Sequence, residues 1–177
     1  SQHKLTLLAY QGMKDTFSAN EEVAAARAQV AALTQPADAA AKAKELDTKL
    51  ATFGGVEGRG GRGGGGGFGG GRGGGATPGA MQSFIALNNG FGAMVSMMQV
   101  GLDMGPTPAQ IDTWESDCKN YNTTLTAWKK LQAEDLAAFN TVLAANNVKP
   151  LAVAPSKLSA AVCTFAAASA PQPPSRR

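Results

Sequence analysis

Apolar residues along this 177-residue chain recur in steps of three and four, the spacing of a helix face, rather than in steps of two. Residues 3–33 read as a first helix: they are rich in Ala, Leu, Gln, Glu and Lys and contain no Pro. Its apolar stripe is Tyr10, Met13 and Phe17, continued after a drift by Val23, Ala26, Val30 and Leu33. Gly12 weakens the helix locally. Thr34-Gln35-Pro36 ends it, because Pro36 cannot donate a backbone hydrogen bond. Pro36 also suits the start of a second helix, with Asp38 favourable in its first turn. That helix carries Ala43, Leu46, Leu50 and Phe53 on one side and stops at Gly54-Gly55.

The helical period returns after Thr77-Pro78-Gly79. Met81, Phe84, Asn88, Phe91, Val95, Met98 and Leu102 form a bundle-type seam with one polar member, Asn88. Gly90, Gly92 and Gly101 are expected to let a neighbouring helix approach, and Gly105-Pro106 ends the element. Thr107-Pro108-Ala109-Gln110 has the residues of a capping box, with Thr107 as N-cap, Pro108 at N1 and Gln110 at N3. A fourth helix follows to about Asn146. Its stripe is Ile111, Trp114, Cys118, Tyr121, Leu125 and Trp128, shifting to Leu131, Leu136, Phe139 and Leu143.

The pattern predicts an all-α, antiparallel four-helix bundle with a long glycine-rich disordered loop between helices 2 and 3. Residues 1–53 form the first helical hairpin and 80–147 the second. Residues 54–79 form a Gly/Arg-rich flexible loop, and 148–177 a Pro/Ala-rich tail that is mostly irregular, with Leu158–Ala168 able to make a short helix. All but five of the 22 glycines lie in 54–79. Such a segment loses much backbone entropy on ordering and buries little in return. As a flexible coil it spans roughly 25–30 Å, enough to join distant helix ends.

The net charge of +3 changes the picture only through its location. Residues 1–53 balance, 80–150 are slightly acidic, and the excess of Lys and Arg lies in the glycine segment and the tail. No basic docking face is expected on the helices. Arg59, Arg62 and Arg72 with Phe68 resemble an arginine-glycine box that contacts phosphates and stacks on bases. With three Arg, one Phe and no flanking RNA-binding fold, a linker is the preferred reading and nucleic acid an unfavoured partner.

Candidate chemistry is sparse. His3, the one histidine, sits at the chain end, so no Ser-His-Asp triad can be assembled around a positioned base. The acidic groups Glu21 with Glu22, Asp112 with Glu115, and Glu134 with Asp135 fall mainly on polar helix faces. No catalytic, cofactor-binding or metal-ligating residue is assigned, and no cofactor is expected. Cys118 and Cys163 can form one disulfide that pins the tail to the fourth helix. A buried free thiol at Cys118, which lies on the apolar stripe, is the competing and preferred reading. Asn122-Thr123-Thr124 matches a glycosylation sequon but lies inside a helix. No apolar run is long enough to span a membrane. The start at Ser1-Gln2-His3-Lys4 suggests a processed product or a fragment of something longer.

The order of parts resembles a known arrangement. It is carried by Leu5…Tyr10…Met13, Val23-Ala24-Ala25-Ala26-Arg27-Ala28-Gln29-Val30, the glycine-rich insert and Gly105-Pro106-Thr107-Pro108-Ala109-Gln110. Trp128-Lys129-Lys130-Leu131, Asp135-Leu136 and Phe139-Asn140…Leu143 add to it. Over residues 1 to about 151 the chain is similar to the C-terminal helical region of bacterial secreted sortilin-like proteins with BNR (Asp-box) repeats, often labelled glycosyl hydrolases. The resemblance implies secretion to the periplasm or exterior and an upstream β-propeller as partner. Any glycosyl-hydrolase-like activity of such a parent would lie in that propeller, because no Asp-box pattern occurs here. The expected role is a non-catalytic structural or interaction module, able to form homo-oligomers. The alternatives are RNA or polyanion binding through the Arg/Gly segment, and a self-assembling extracellular structural subunit.

Overall fold

The computed structural model of the chain describes residues 2–33, 37–54, 77–100 and 105–165, and these are helical apart from turns and an extended tail. Helix α1 runs Gln2–Ala31, α2 Ala37–Gly54, α3 Phe84–Val100 and α4 Pro108–Leu131. A π-helical turn, Gln132–Leu136, leads from α4 directly into α5, Ala137–Ala145. Residues 55–76, and with them most of the expected glycine loop, lie outside the described residues, as do Thr34-Gln35-Pro36 and Leu102. Gly54 is the last residue of α2 rather than the first of the loop, and is buried beside Val23. At the far end, Thr77 accepts a bond from the Ala80 amide across a turn in which Gly79 takes φ +83°.

The buried face of α1 differs from the expected stripe in its first half. It comprises Leu5, Ala9, Thr16, Ala19, Val23, Ala26 and Val30, while Tyr10 and Phe17 are 54% and 60% exposed. Together with Gly12, the inward residues alternate steps of four and three, and all but Leu5 are small or β-branched. Side-chain volume explains the choice. An ideal Cβ on Gly12 would lie 2.9 Å from three atoms of the Phe91 ring, so that ring lies directly against the α1 backbone. Asn88 donates from its amide nitrogen to the Met13 carbonyl (2.7 Å) and to the Thr16 hydroxyl (3.0 Å), beside that contact. The buried Thr16 hydroxyl in turn donates to the Gly12 carbonyl at 2.7 Å. The one polar member of the expected seam is therefore satisfied across the α1–α3 contact.

On α3 the buried positions are Phe84, Leu87, Phe91, Met94 and Met98. Met81 precedes the helix and is exposed, and Val95 is only partly buried. Gly90 serves a carboxylate, because a Cβ there would lie 3.0 Å from Asp117 Oδ2. Gly92 has ordinary clearance from Met13, at 3.7 Å.

Helix α2 closes on α1 through a two-pronged ion pair, Arg27 Nε to Asp47 Oδ1 at 2.8 Å and Arg27 Nη2 to Asp47 Oδ2 at 3.2 Å. The hydrogen bond from Arg27 holds the Asp47 carboxyl below its usual range. At its end, Phe53 meets Phe84 and Trp128 with ring centroids 6.4 and 5.6 Å apart. The capping box at α4 forms as the residues suggest: Gln110 N donates to Thr107 Oγ1, and Thr107 N to Gln110 Oε1. The buried Thr124 hydroxyl donates to the Gln82 carbonyl at 3.0 Å and accepts from the Gln82 amide at 3.1 Å. This ties the lead-in of α3 to α4.

The π turn accounts for the shift seen in the α4 stripe. Leu131 and Leu136, both buried, are five residues apart, a step that an α-helix would rotate off the face. The wider turn returns Leu136, Phe139 and Leu143 to the core. The rod ends in a Schellman motif, with Val148 N bonded to Leu143 O, Asn147 N to Ala144 O, and Asn147 left-handed at φ 54°. Pro150 then prevents any return to helix.

Two groups on α4 carry a cost. Asn120 is fully buried with neither side-chain polar atom paired, a penalty of about 1–3 kcal/mol. Burial also pushes the Asp117 carboxyl up to about 6.

Gly12→Ala is expected to lower stability by about 1–2 kcal/mol, because overpacking against Phe91 outweighs the helix-propensity gain. Gly92→Ala, with room for its methyl, is expected to gain up to about 1 kcal/mol; urea unfolding of the two variants checks both. Asp117 binds its proton more tightly folded than unfolded, so its ionisation destabilises the fold as pH rises from about 4 through 6. Asp117→Asn is expected to raise stability at pH 7 by on the order of 1–2 kcal/mol, allowing for partial contact with water. That advantage should vanish near pH 4 when melting curves are compared.

Candidate functional site: an amide-lined track closed by a disulfide

Residues 148–165 contain no helix, including across 158–165, where a short one was possible. They run extended over α1, α4, the π turn and α5 as a strap, held mainly by side-chain amides. A carboxamide carries one acceptor and one donor side by side, matching the C=O and N–H that an extended backbone leaves unpaired.

Four amides use that match. Asn140 accepts from Leu151 N (2.8 Å) and donates to Leu151 O (3.3 Å). Gln29, from α1, does the same for Ala152, at 2.8 and 3.2 Å. Gln132, in the π turn, accepts from Ser156 N at 3.0 Å and donates to Ala154 O at 3.2 Å. Asn122 accepts from Ala161 N and donates to Ala161 O, both at 2.8 Å. Between these clamps, Glu22 accepts from Ser156 Oγ (3.2 Å) and from the buried Trp128 indole (2.9 Å), joining strap to core. Glu115 accepts from Phe165 N at 3.3 Å and pairs with Lys119 at 3.7 Å.

The apolar contacts are fewer. Leu151 and Phe165 are buried, and Leu158 and Val153 partly so. The Phe165 ring packs edge-on to Trp114, centroids 6.4 Å apart, with Lys4 Nζ 5.8 Å from its centre. Against the strap opens a pocket of about 510 Å³ lined by Leu8, Gly12, Phe91, Trp114 and Tyr121 and by residues 157–162. Burial, then the charges of Asp15 and Glu22, push the Tyr121 phenol above its usual range. It stays neutral and donates to Ser159 O at 3.4 Å.

Cys118 and Cys163 are joined in a disulfide, with Cα atoms 5.4 Å apart, in place of the buried free thiol expected at Cys118. The bond closes a loop with a sequence separation of 45 residues, for which chain-entropy arguments give about 2–4 kcal/mol. Asn122 donates to Cys163 Sγ at 3.2 Å as well as clamping Ala161. The nitrogen of the sequon-like Asn122 is thus committed to the strap.

The other expected site residues, Arg59, Arg62, Phe68 and Arg72, lie outside the described residues. Among the described residues, His3 is exposed and no three His, Cys, Asp or Glu side chains gather as a metal site. No described helix is long and apolar enough to cross a membrane. The clamping amides were not foreseen. Their faint signal is that each flanks an apolar stripe on a helix that precedes a proline-punctuated tail.

Asn140→Ala and Gln132→Ala each remove two backbone bonds, worth about 1–3 kcal/mol together. Native-state hydrogen exchange should show the Leu151 amide in the first variant, and the Ser156 amide in the second, exchanging about 10–100-fold faster. The Phe91 amide should keep its rate.

Comparison of the chain with known protein families, curated proteins and solved structures finds no match.

Proposed function

We propose that this chain is a non-catalytic interaction module, an antiparallel four-helix bundle that presents one face of α1 to another folded body in an oxidising compartment. The observation that carries this reading is the outward stripe of α1. Leu7, Tyr10 and Phe17 are each more than half exposed. Tyr10 and Phe17 border a shallow cleft of about 300 Å³ with Met13 and Asn88. Fully burying a large apolar side chain contributes roughly 1.5–3 kcal/mol, so a partner covering this stripe gains substantially. Helix α4 adds nothing to this surface, because no large α4 side chain is among the exposed hydrophobics.

The antiparallel pairing of α1 with α3 and with α2 is supported by contacts that run in opposite directions along each pair. Gln2 bonds the Met98 carbonyl while Met13 receives Asn88. Arg27 pairs with Asp47 while Val23 meets Gly54. In this reading the segment 54–79 connects the two halves, and the disulfide favours a secreted or periplasmic setting. A place beside an upstream β-propeller, as in the sortilin-like BNR proteins the sequence resembles, gives α1 its partner.

A photo-crosslinking residue at Tyr10 or Phe17, in the chain within its native cell, is expected to yield a discrete crosslinked species. The same probe at the exposed Asp112 should yield none. Equal, diffuse crosslinking at all three positions would sink the reading.

A further inference from the structure

The strap and its track behave as ligand and site within one chain, and they are separable. The strap contains no helix of its own and follows α5 through residues 146–150, so it can leave with the loss of the α5 cap and no other element. That connection, fully extended, reaches about 17 Å. It holds the one described non-glycine residue with positive φ, Asn147, and straightening it relieves that left-handed conformation.

We propose that the strap is exchangeable between copies: residues 148–165 of one chain lie in the amide track of a second copy, and the Cys118–Cys163 disulfide then ties the two chains. This goes beyond the role given to α1 and does not depend on it. The amides of Asn140, Gln29 and Asn122 read backbone atoms, so the track alone accepts many extended peptides. Cys118 narrows the choice. It can seal only a segment that brings a thiol to the position of Cys163, just before the aromatic side chain that packs on Trp114. A second copy's strap supplies every one of these features. Cis and trans forms make the same strap contacts, leaving the hinge and the chain concentration to decide between them.

Sealing is a thiol–disulfide exchange. With glutathione disulfide as oxidant, the Cys163 thiolate of one copy forms a mixed disulfide and releases one glutathione thiol. The Cys118 thiolate of the other copy attacks the Cys163 sulfur and releases the second. Two protein thiols lose two protons and two electrons, and one glutathione disulfide becomes two glutathione thiols.

The test uses the full chain, prepared with natural nitrogen and with ¹⁵N, mixed in equal amounts, reduced and unfolded in urea. The mixture is refolded at increasing protein concentration in a glutathione redox buffer, alkylated, and separated by size. The expected result is a covalent dimer whose share rises with concentration. About half of its Cys118–Cys163 linked peptides should join a light half to a heavy half, the statistical share for random pairing. Asn147→Gly removes the hinge strain and is expected to lower the dimer share several-fold. The pair Asn122→Ala with Gln132→Ala weakens the cis and trans seats alike, so it is expected to change the dimer share less than Asn147→Gly does. Linked peptides that stay all light or all heavy at every concentration would overturn the proposal. So would a dimer share indifferent to Asn147→Gly.

Discussion

The absence of a side chain at Gly12 is the constraint on which the packing turns. Phe91 lies against the bare α1 backbone there, closer than any Cβ would permit. That approach lets Asn88 reach the Met13 carbonyl and the Thr16 hydroxyl, filling both of its donor positions. It also selects which face of α1 turns inward, because only small residues fit at so short a separation. Ala9, Thr16 and Ala19 go to the core, and the bulkier Tyr10 and Phe17 remain outside. The sparsely aromatic interior is completed elsewhere by Phe53, Phe84 and Trp128, where three helices converge.

The strap is organised by a different force. Its burial is modest, two buried apolar side chains and a few partial ones, so hydrophobic area alone would not order a segment this long. Paired hydrogen bonds from rigid helices and one covalent link supply the rest. The amides of Asn122, Gln132 and Asn140 project from the α4–α5 rod, whose backbone is already fixed, so little further entropy is lost when the strap docks. Glu22 connects the two systems, holding the indole of Trp128 and the hydroxyl of Ser156 with its two oxygens.

Much of the helical layout was legible in the residues. The capping box at Thr107 rests on local chemistry, and α2 shows a single unambiguous apolar face, so both could be read directly. On α1, two stripes compete, and hydrophobicity favours the wrong one because it ignores volume. The seam of α3 slipped for a related reason: Leu87 and Met94 turn inward, whereas Met81 precedes the helix and Val95 sits at its border. The strap was beyond reach, since carboxamides that clamp a backbone leave no periodic trace. The orphaned Asn120 is equally silent, as nothing in its neighbours announces a buried polar group.

The π turn at 132–136 bears on the outside of the rod as much as on its packing. Leu131 and Leu136 both face the interior across it, so the helical rod before and after keeps one common face. A rod one residue shorter, with an ordinary turn at this place, would present the same interior. The wider turn therefore holds one residue more than an ordinary turn without loss of register. It has a use on the outside: the bulge carries both Gln132, which grips the strap, and Asp135, which meets Lys49 of α2 at 2.6 Å. The wider turn thus supplies two tethers that an uninterrupted spiral would aim elsewhere.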